Sequence, residues 1–280
     1  MRRPLAVERL GQVNLFAQSL DAELNLQQDV FGARVLRRWG DGPAGSRHAL
    51  VLIHRTGVET FAPTTPGGAV ALRSDGNGPG WESLQWQVSS LGDAVTALRE
   101  HGVRVGEDAA GRAFVRPQDM HGLAIGLTDR RAESHDRDLV DRKPTFRSDD
   151  HALGLVGGAT VKVVAAQPEK AAADLAALVG REAYAVERRH LNMAGHGVRF
   201  DDHAVEYVGS ATGSRADLAG GHLVERGERI FCLTFTVRDL LAARTFLVGR
   251  DVRFQQFGRH SLLLAPVDAG GARIEITDTD

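Results

Sequence analysis

Hydrophobic and polar positions follow the same order four times along the chain. A short strand-like segment of alternating polarity leads into a helix-like segment, and further strand-like segments follow it before the next copy begins. The four leading segments are GQVNLFAQ (11–18), LQWQVSS (84–90), ATVKVVAA (159–166) and FCLTFTV (231–237). The pattern predicts an α+β chain of four βαβββ units, which we call repeats one to four, with helices near 20–31, 91–101, 168–179 and 239–248.

Two local signals support the four predicted helices. A glycine follows each of them, and glycine adopts the left-handed backbone conformation of a helix C-terminus without a Cβ penalty. An acidic residue stands in each first turn, where the helix dipole favours negative charge. The glycines are Gly32, Gly102, Gly180 and Gly249, and the acidic residues are Asp21, Asp93, Glu169 and Asp239.

A charged stretch with one proline, residues 130–151, separates the second repeat from the third. It predicts a connection between a first module, 1–129, and a second module, 152–280. We expect part of it to be helical or packed on the surface, because structureless loops of this length are uncommon. Each pair of repeats predicts one half-open barrel, and the glycine-rich stretch 67–82 predicts a mobile loop over a barrel mouth.

Alternation divides each leading strand into an apolar face and a mostly polar face. The apolar face is expected to pack against the helix of its own repeat. The other face meets either water or the concave lining of a barrel, and the fourfold repetition favours a lining that binds a small molecule. The residues of this polar set are Gln12, Asn14, Ser83, Gln85, Gln87, Thr160, Lys162, Cys232, Thr234 and Thr236.

Composition and charge narrow the range of partners. A net charge of −2 and a pI near 6.6 give no basic face for nucleic acid. The single cysteine, Cys232, excludes an intramolecular disulfide and fits a reducing cytoplasm. No apolar run resembles a secretion signal or a membrane span. We therefore expect a cytoplasmic protein that binds a small-molecule substrate or ligand and neither nucleic acid nor membrane; a homodimer is compatible with the sequence.

The closing strands VETF, VEYV and IEIT, with FTVRDLLAARTFLVGRDVRF in repeat four, resemble the vicinal oxygen chelate superfamily over nearly the whole chain. This superfamily includes glyoxalases, bleomycin-resistance proteins and extradiol dioxygenases. The resemblance implies a divalent metal held by His or Gln on early strands and by Glu on closing strands of paired repeats. The corresponding early positions are Gln12, Ser83, Thr160 and Cys232, and the late positions are Glu59, Gly126, Glu206 and Glu275.

No early position is a histidine, so the two-His, one-carboxylate triad of ring-cleaving dioxygenases cannot be assembled from these positions. If consecutive repeats pair, the first module offers Gln12 and Glu59, whereas the second offers Glu206 and Glu275 with the Cys232 thiolate. If repeats one and four pair, the converging residues are Gln12, Glu59, Cys232 and Glu275. This set is closer to the metal-ligand set of glyoxalase I. We therefore assign no metal ligand, and the sequence leaves open whether a divalent metal is a cofactor.

The second module carries more ionisable groups on the predicted cavity face than the first. We expect Glu275 and Glu206 to act as acid/base groups and Lys162 to be their counter-charge. Substrate contacts are expected from Cys232, Thr160 and Thr234, and from His190 and His260, which we expect on middle strands. Each residue also has a plain structural interpretation, such as an ion-paired strand glutamate, a surface lysine or a small core cysteine.

Two functions fit these observations. The first is an enzyme that acts on a small polar molecule with adjacent oxygens; a lyase or an isomerase is favoured over a hydrolase. The second is a metal-free binding or sequestering protein of the bleomycin-resistance type, which the missing early histidines favour. The closing-strand glutamate present in three repeats favours the enzyme, and an extradiol dioxygenase is the least favoured alternative.

Overall fold

The computed structural model describes residues 2–41, 45–64, 78–107, 112–129, 151–266, 269 and 271–278. The four predicted helices are present, and their ends lie within one residue of the predicted positions. They are α1 (Leu20–Phe31), α2 (Leu91–Glu100), α3 (Pro168–Val179) and α5 (Leu240–Gly249). A further helix, α4 (Leu218–Arg226), precedes repeat four and was not predicted from the sequence.

Side-chain caps explain where three of the four predicted helices begin. The side chains of Ser19, Ser90 and Asp239 accept hydrogen bonds from the backbone N–H three residues further on. At the other end, Gly32 and Gly180 are left-handed, as predicted, with φ of 60° and 64°. The predicted role of Gly249 was wrong, because it is the last residue of α5.

Each repeat has four described strands. Repeat one has β1 (Val7–Phe16), β2 (Arg34–Asp41), β3 (Ser46–Ile53) and β4 (Thr56–Pro63). Repeat two has β5 (Gly80–Val88), β6 (Val105–Glu107), β7 (Ala113–Val115) and β8 (Ile125–Thr128). Repeat three has β9 (Leu155–Val164), β10 (Ala183–Arg188), β11 (Met193–Arg199) and β12 (Ala204–Ser210). Repeat four has β13 (Arg229–Val237), β14 (Phe254–Phe257), β15 (Ser261–Leu264) and β16 (Ile274–Thr277).

In every repeat the first strand pairs in parallel with the fourth, and the last three strands pair antiparallel. The strands form two mixed sheets of eight, in the orders β2-β3-β4-β1-β5-β8-β7-β6 and β10-β11-β12-β9-β13-β16-β15-β14. The prediction of an α+β fold with four βαβββ units is thereby confirmed.

The chain divides into two compact units, each assembled from segments that are distant in sequence. One comprises Met1–Gly11, Ser83–Arg131 and Thr160–Phe231, and so contains repeats two and three. The other comprises Gln12–Glu82, Ala132–Ala159 and Cys232–Asp280, and contains repeats one and four. The module limits at 129 and 152 stay a prediction. Residues 130–150 and 65–77 lie outside the described residues, and with them most of the predicted connection and loop.

The two faces of the leading strands differ in exposure as the alternation predicts. The apolar set is buried throughout; it comprises Val13, Leu15, Ala17, Leu84, Trp86, Val88, Val161, Val163, Ala165, Leu233, Phe235 and Val237. Every residue of the polar set is buried or half-buried as well. None of these side chains is fully exposed to water, and such shielding is compatible with the lining of a ligand cavity.

Aromatic side chains with satisfied polar groups pack inside each compact unit. In the unit of repeats two and three, Nε1 of Trp86 donates to Nε2 of His203 at 3.0 Å, and Phe200 stacks on that imidazole. In the unit of repeats one and four, Nε1 of Trp81 donates to the carbonyl oxygen of Arg273 at 2.7 Å. No helix among the described residues combines the length and apolar character needed to cross a membrane.

Candidate functional site

The strand register determines which side chain lies beside each closing-strand position. The registered pairs are Asn14–Glu59, Gln85–Gly126, Lys162–Glu206 and Thr234–Glu275. Each first-strand partner lies two residues beyond the early position that the resemblance assigned. The immediate neighbour of Glu206 is therefore Lys162, whereas Thr160 pairs with Ala204.

Glu206 lies at the centre of a buried polar cluster in repeat three. Its side chain is 2 % exposed, and Oε1 accepts hydrogen bonds from Oη of Tyr184 at 3.1 Å and from Nη2 of Arg188 at 3.0 Å. Burial and then the negative charge of Glu206 raise the pKa of Tyr184 above its usual range. The phenol therefore stays protonated and remains a hydrogen-bond donor to Glu206.

Gly197 allows Tyr184 to reach Glu206 across the intervening strand. It is the registered partner of Tyr184 on β10 and of Glu206 on β12. A Cβ atom at Gly197 would lie 2.7 Å from Cζ and 2.8 Å from Oη of Tyr184. The phenol ring occupies the space that any larger side chain would need, so the absence of a side chain at this position is what permits the contact.

Two buried atoms of this cluster have no hydrogen-bond partner among the described residues. They are Oε2 of Glu206, an acceptor, and Nε of Arg188, a donor. Buried polar groups in folded proteins are nearly always paired, and leaving one unpaired costs about 1–3 kcal/mol. A ligand oxygen that accepts from Arg188, next to a hydrogen that Glu206 can take, would satisfy both atoms.

Lys162 belongs to the same buried face of repeat three. It is 1 % exposed, and its pairing with Glu206 in parallel strands sends both side chains to one side of the sheet. Full burial of an ammonium group is tolerated only near compensating charge or polar groups. The structure thus replaces the surface interpretation of Lys162 with a buried one. Thr160 lies half-buried two residues earlier on the same strand.

The two histidines expected to contact substrate are not on strands. His190 lies in the short 3-10 turn Arg189–Leu191, which Asn192 ends with a left-handed φ of 55°. His260 ends the turn before β15, and its Nδ1 lies 3.2 Å from Asp278 Oδ1 at the surface. The expectation of middle-strand positions was therefore wrong, because both segments turn at these residues; the substrate-binding role of both histidines stays a prediction.

Glu275 in repeat four has a different environment from Glu206. It is 1 % exposed; Oε2 accepts from Oγ1 of Thr234 at 2.8 Å and Oε1 from Oγ of Ser261 at 2.7 Å. The Thr234 hydroxyl is thus engaged with Glu275. Cys232 is also buried, at 1 % exposure, as a small residue within β13. The acid/base role of Glu275 stays a prediction.

A second polar network lies in repeat one, and two of its members were missed by sequence reasoning. Nδ1 of His48 lies 2.9 Å from Oε1 of Glu59, and Nε2 of His48 lies 2.8 Å from Oγ of Ser46. Nε2 of Gln12 donates to Oε2 of Glu59 and to Asn14 Oδ1. Alternation along SRHALVLI puts Ser46 and His48 on one face, and this was the available signal.

Aromatic rings hold the imidazole of this network in place. Trp39 and Phe61 both stack on His48, with ring centroids 5.2 Å and 5.7 Å away. Both imidazole nitrogens and both carboxylate oxygens of Glu59 already have partners. In contrast to the Glu206 cluster, this network is complete without a ligand.

The donor groups around Glu206 and Glu275 do not fit the divalent metal that the resemblance implies. Among the residues that the structure describes, no group of three or more His, Cys, Asp or Glu side chains could hold a metal ion. The neighbour of Glu206 is an ammonium, which has no lone pair to offer, and both oxygens of Glu275 accept hydroxyl hydrogens. We therefore derive no step through a metal.

Comparisons with known proteins agree with this architecture. No protein-family model and no curated protein sequence matches the chain. A mutant of 4-hydroxymandelate synthase from Streptomyces coelicolor superposes with a TM-score of 0.69 at 13 % identity, covering 99 % of this chain and 92 % of that one. Methylmalonyl-CoA epimerase from Mycobacterium tuberculosis covers 45 % of this chain and 90 % of its own, at 26 % identity and a TM-score of 0.39. The fold of the chain is similar to that of the synthase over nearly the whole length of both chains.

Proposed function

We propose that this chain is a glyoxalase-like enzyme, of lyase or isomerase type, that moves a proton on a small polar molecule with adjacent oxygens. The observation that carries the proposal is the pair of buried, unpartnered atoms in repeat three, Oε2 of Glu206 and Nε of Arg188. A buried acceptor and a buried donor, both open and carried by two residues that are hydrogen-bonded to each other, are what such a substrate would bind.

The chemistry follows from these two atoms. A carbonyl oxygen of the substrate accepts the N–H of Arg188, which brings the neighbouring C–H towards Oε2 of Glu206. Glu206 takes the proton, and the electron pair of the C–H bond moves towards the carbonyl, whose oxygen becomes an oxyanion. The guanidinium stabilises that charge. Return of the proton to a neighbouring atom completes an isomerisation, whereas departure of a β-substituent with its electron pair completes an elimination.

Tyr184 decides which oxygen of Glu206 receives the proton. Its hydroxyl and Nη2 of Arg188 both donate to Oε1, so that oxygen is occupied. Oε2 remains the acceptor for the substrate proton. Glu275, with both oxygens bound to hydroxyls, has no such open acceptor, and this makes Glu206 the better candidate for the base.

A metal-free binding protein of the bleomycin-resistance type is the second candidate. Near-complete burial of Glu206 and Lys162 favours it, because a binding protein encloses its ligand without performing chemistry. The two candidates differ in one measurable property. Only the enzyme exchanges a carbon-bound hydrogen of the ligand with solvent.

The test is hydrogen–deuterium exchange into a panel of 2-hydroxy and 2-oxo acids in D2O, followed by NMR. Glu206→Gln is the test variant, and Glu187→Gln on the exposed edge of the same sheet is the matched control. We expect exchange with the wild type and the control, and a rate lower by about 100-fold or more with Glu206→Gln. Ligand binding without exchange would instead support the binding protein.

A further inference from the structure

We infer that the ammonium group of Lys162 takes the place of a divalent metal ion at the Glu206 site, so that the site binds and polarises its ligand with protein cations alone. The inference rests on the proposed function for its catalytic part, whereas its statement about metal binding can be tested without any turnover. It starts from the disagreement between the donor groups present and the metal that the fold resemblance implies.

Position is the first part of the argument. Lys162 stands on the leading strand of repeat three, directly beside the closing-strand glutamate, and is 1 % exposed. In repeat one, the same position beside the glutamate holds Asn14, which has a carbonyl oxygen to offer. A cation in repeat three therefore occupies a place where repeat one has a lone-pair donor.

The chemistry of the groups is the second part. A divalent ion needs several lone pairs from oxygen, nitrogen or sulfur, and neither an ammonium nor a guanidinium supplies one. Glu206 is already held by Arg188 at 3.0 Å. A metal ion here would have one carboxylate as ligand, with two cationic side chains on the same buried face, and Coulomb repulsion in such a place is strong.

An ammonium can nevertheless perform the task of polarising an oxygen. It carries positive charge and donates hydrogen bonds to a developing oxyanion, as cationic side chains do in many active sites. It also needs no open coordination position, which suits the buried face of repeat three. Lys162 and Arg188 would share the charge that forms on the substrate oxygen when Glu206 takes the proton.

Equilibrium dialysis against Zn²⁺ or Ni²⁺, followed by elemental analysis of the protein, tests the metal part. The wild type should take up no stoichiometric metal at this site. Lys162→His should bind measurably more metal than the wild type at the same free metal concentration, because an imidazole lone pair then lies beside Glu206 and one of the two cationic side chains is gone; Glu206→Gln in that background should abolish the gain. Ala183→His puts an imidazole at the exposed start of β10 in the same sheet, opposite Val198, and is the matched control, with no gain expected.

One equivalent of metal in the wild type, lost in Glu206→Gln, would overturn the inference. So would a folded Lys162→His that gains no metal, since the lysine would then not be what excludes it. Lys162→Asn, which copies the residue of repeat one, is the second variant if Lys162→His does not fold.

The catalytic part has its own readout in the deuterium-exchange assay. Wild type stripped with EDTA should keep its exchange rate. The exchange rate of folded Lys162→Met should be lower than that of the wild type by at least about tenfold. An EDTA-sensitive wild type, or an unimpaired Lys162→Met, would contradict it. If the wild type shows no exchange at all, the proposed function fails, and the dialysis result still decides whether lysine excludes metal.

Discussion

The closing-strand glutamates of repeats one and three occupy the same place in the repeat and have opposite surroundings. Glu59 accepts from Gln12 and His48, and no oxygen of its carboxylate is left open. Glu206 has both of its donors on one oxygen, and its other oxygen is buried without a described partner. The comparison teaches that a carboxylate at a family position is a weak indicator of function by itself, and a stronger one where its open oxygen accompanies an open donor on a residue that it binds, as with Glu206 and Arg188.

The largest effect should separate these two glutamates by function. Glu206→Gln removes the proposed base, and we expect the exchange rate to fall by about 100-fold or more. Glu59→Gln should change that rate by less than about threefold and should instead lower the free energy of unfolding by about 1–3 kcal/mol, since it breaks a satisfied network. Exchange kinetics and urea unfolding measure the two. The reverse pattern would move the working site to repeat one.

Repeat one contains another buried glutamate, Glu23 on the inner face of α1. It is 2 % exposed, and Gln27 donates both to its Oε1 at 3.0 Å and to Thr60 Oγ1 at 2.9 Å. Burial raises its pKa from the usual 4.5 to about 7, against the smaller opposing effect of the Gln27 hydrogen bond. The proton is therefore held more tightly in the folded state than in the unfolded state.

The second largest effect is expected from substituting Glu23, and it concerns the pH dependence of stability. Because the folded pKa is raised, the stability that the protonated group contributes is fully present below pH 4.5 and is lost as the pH rises to about 7. The difference between the folded and the usual pKa corresponds to about 3 kcal/mol in the free energy of unfolding. Glu23→Gln should remove this pH dependence, so its stability relative to the wild type should grow by about that amount from pH 4.5 to pH 8, measured by urea unfolding.

Asp29→Asn, an exposed position on the same helix, is the control for Glu23 and should leave the pH dependence of the wild type intact. A wild-type profile that is flat between pH 4.5 and pH 7 would show that burial does not perturb Glu23. It would also weaken the contrast between a repeat whose glutamates affect stability and one whose glutamate acts on substrate.

A smaller effect is expected from Gly197→Ala, which sharpens the comparison within repeat three. The added methyl group displaces the ring of Tyr184 and removes its hydrogen bond to Oε1 of Glu206. We expect about a tenfold fall in exchange rate or ligand affinity. Gly92→Ala on α2, where a Cβ meets nothing within 4 Å, is the matched control. Equal behaviour of the two variants would exclude a positioning role for Tyr184.

The smallest effect is expected from Ser46→Ala in the network of repeat one. It leaves Nε2 of His48 without its partner at 2.8 Å and should cost about 1 kcal/mol of stability. The exchange rate should not change. A clear loss of activity with unchanged stability would show that the His48 network takes part in function after all.

Helices and buried faces were predictable from the sequence because both depend on neighbouring residues. Caps such as Ser90 and the alternation around Trp86 need no knowledge of distant strands. Helix α4 was missed because its Gly-Gly pair lowers helix propensity, although Asp217 caps it.

The site was less predictable because it depends on register and on crossing strands. Lys162 and Glu206 were named, yet their direct pairing follows from hydrogen bonds between strands about forty residues apart. Tyr184 reaches Glu206 across the gap that Gly197 leaves, and Arg188 reaches it from the end of the same strand; no local pattern predicts either contact. The unpaired atoms are visible only once the full environment of a side chain is known.

The assembly of each compact unit from distant segments has a consequence for the nascent chain. Within one unit, Leu5 N at the N-terminal segment donates to Leu178 O of α3 at 2.7 Å; within the other unit, Trp81 donates to the carbonyl oxygen of Arg273. During synthesis, the unit of repeats two and three cannot be completed until repeat three has left the ribosome, and the unit of repeats one and four must wait for repeat four. Contacts between residues so far apart in sequence slow folding, and apolar surface stays exposed until they form. The newly made first half should therefore depend on chaperone protection more than a chain whose compact units follow one another in sequence.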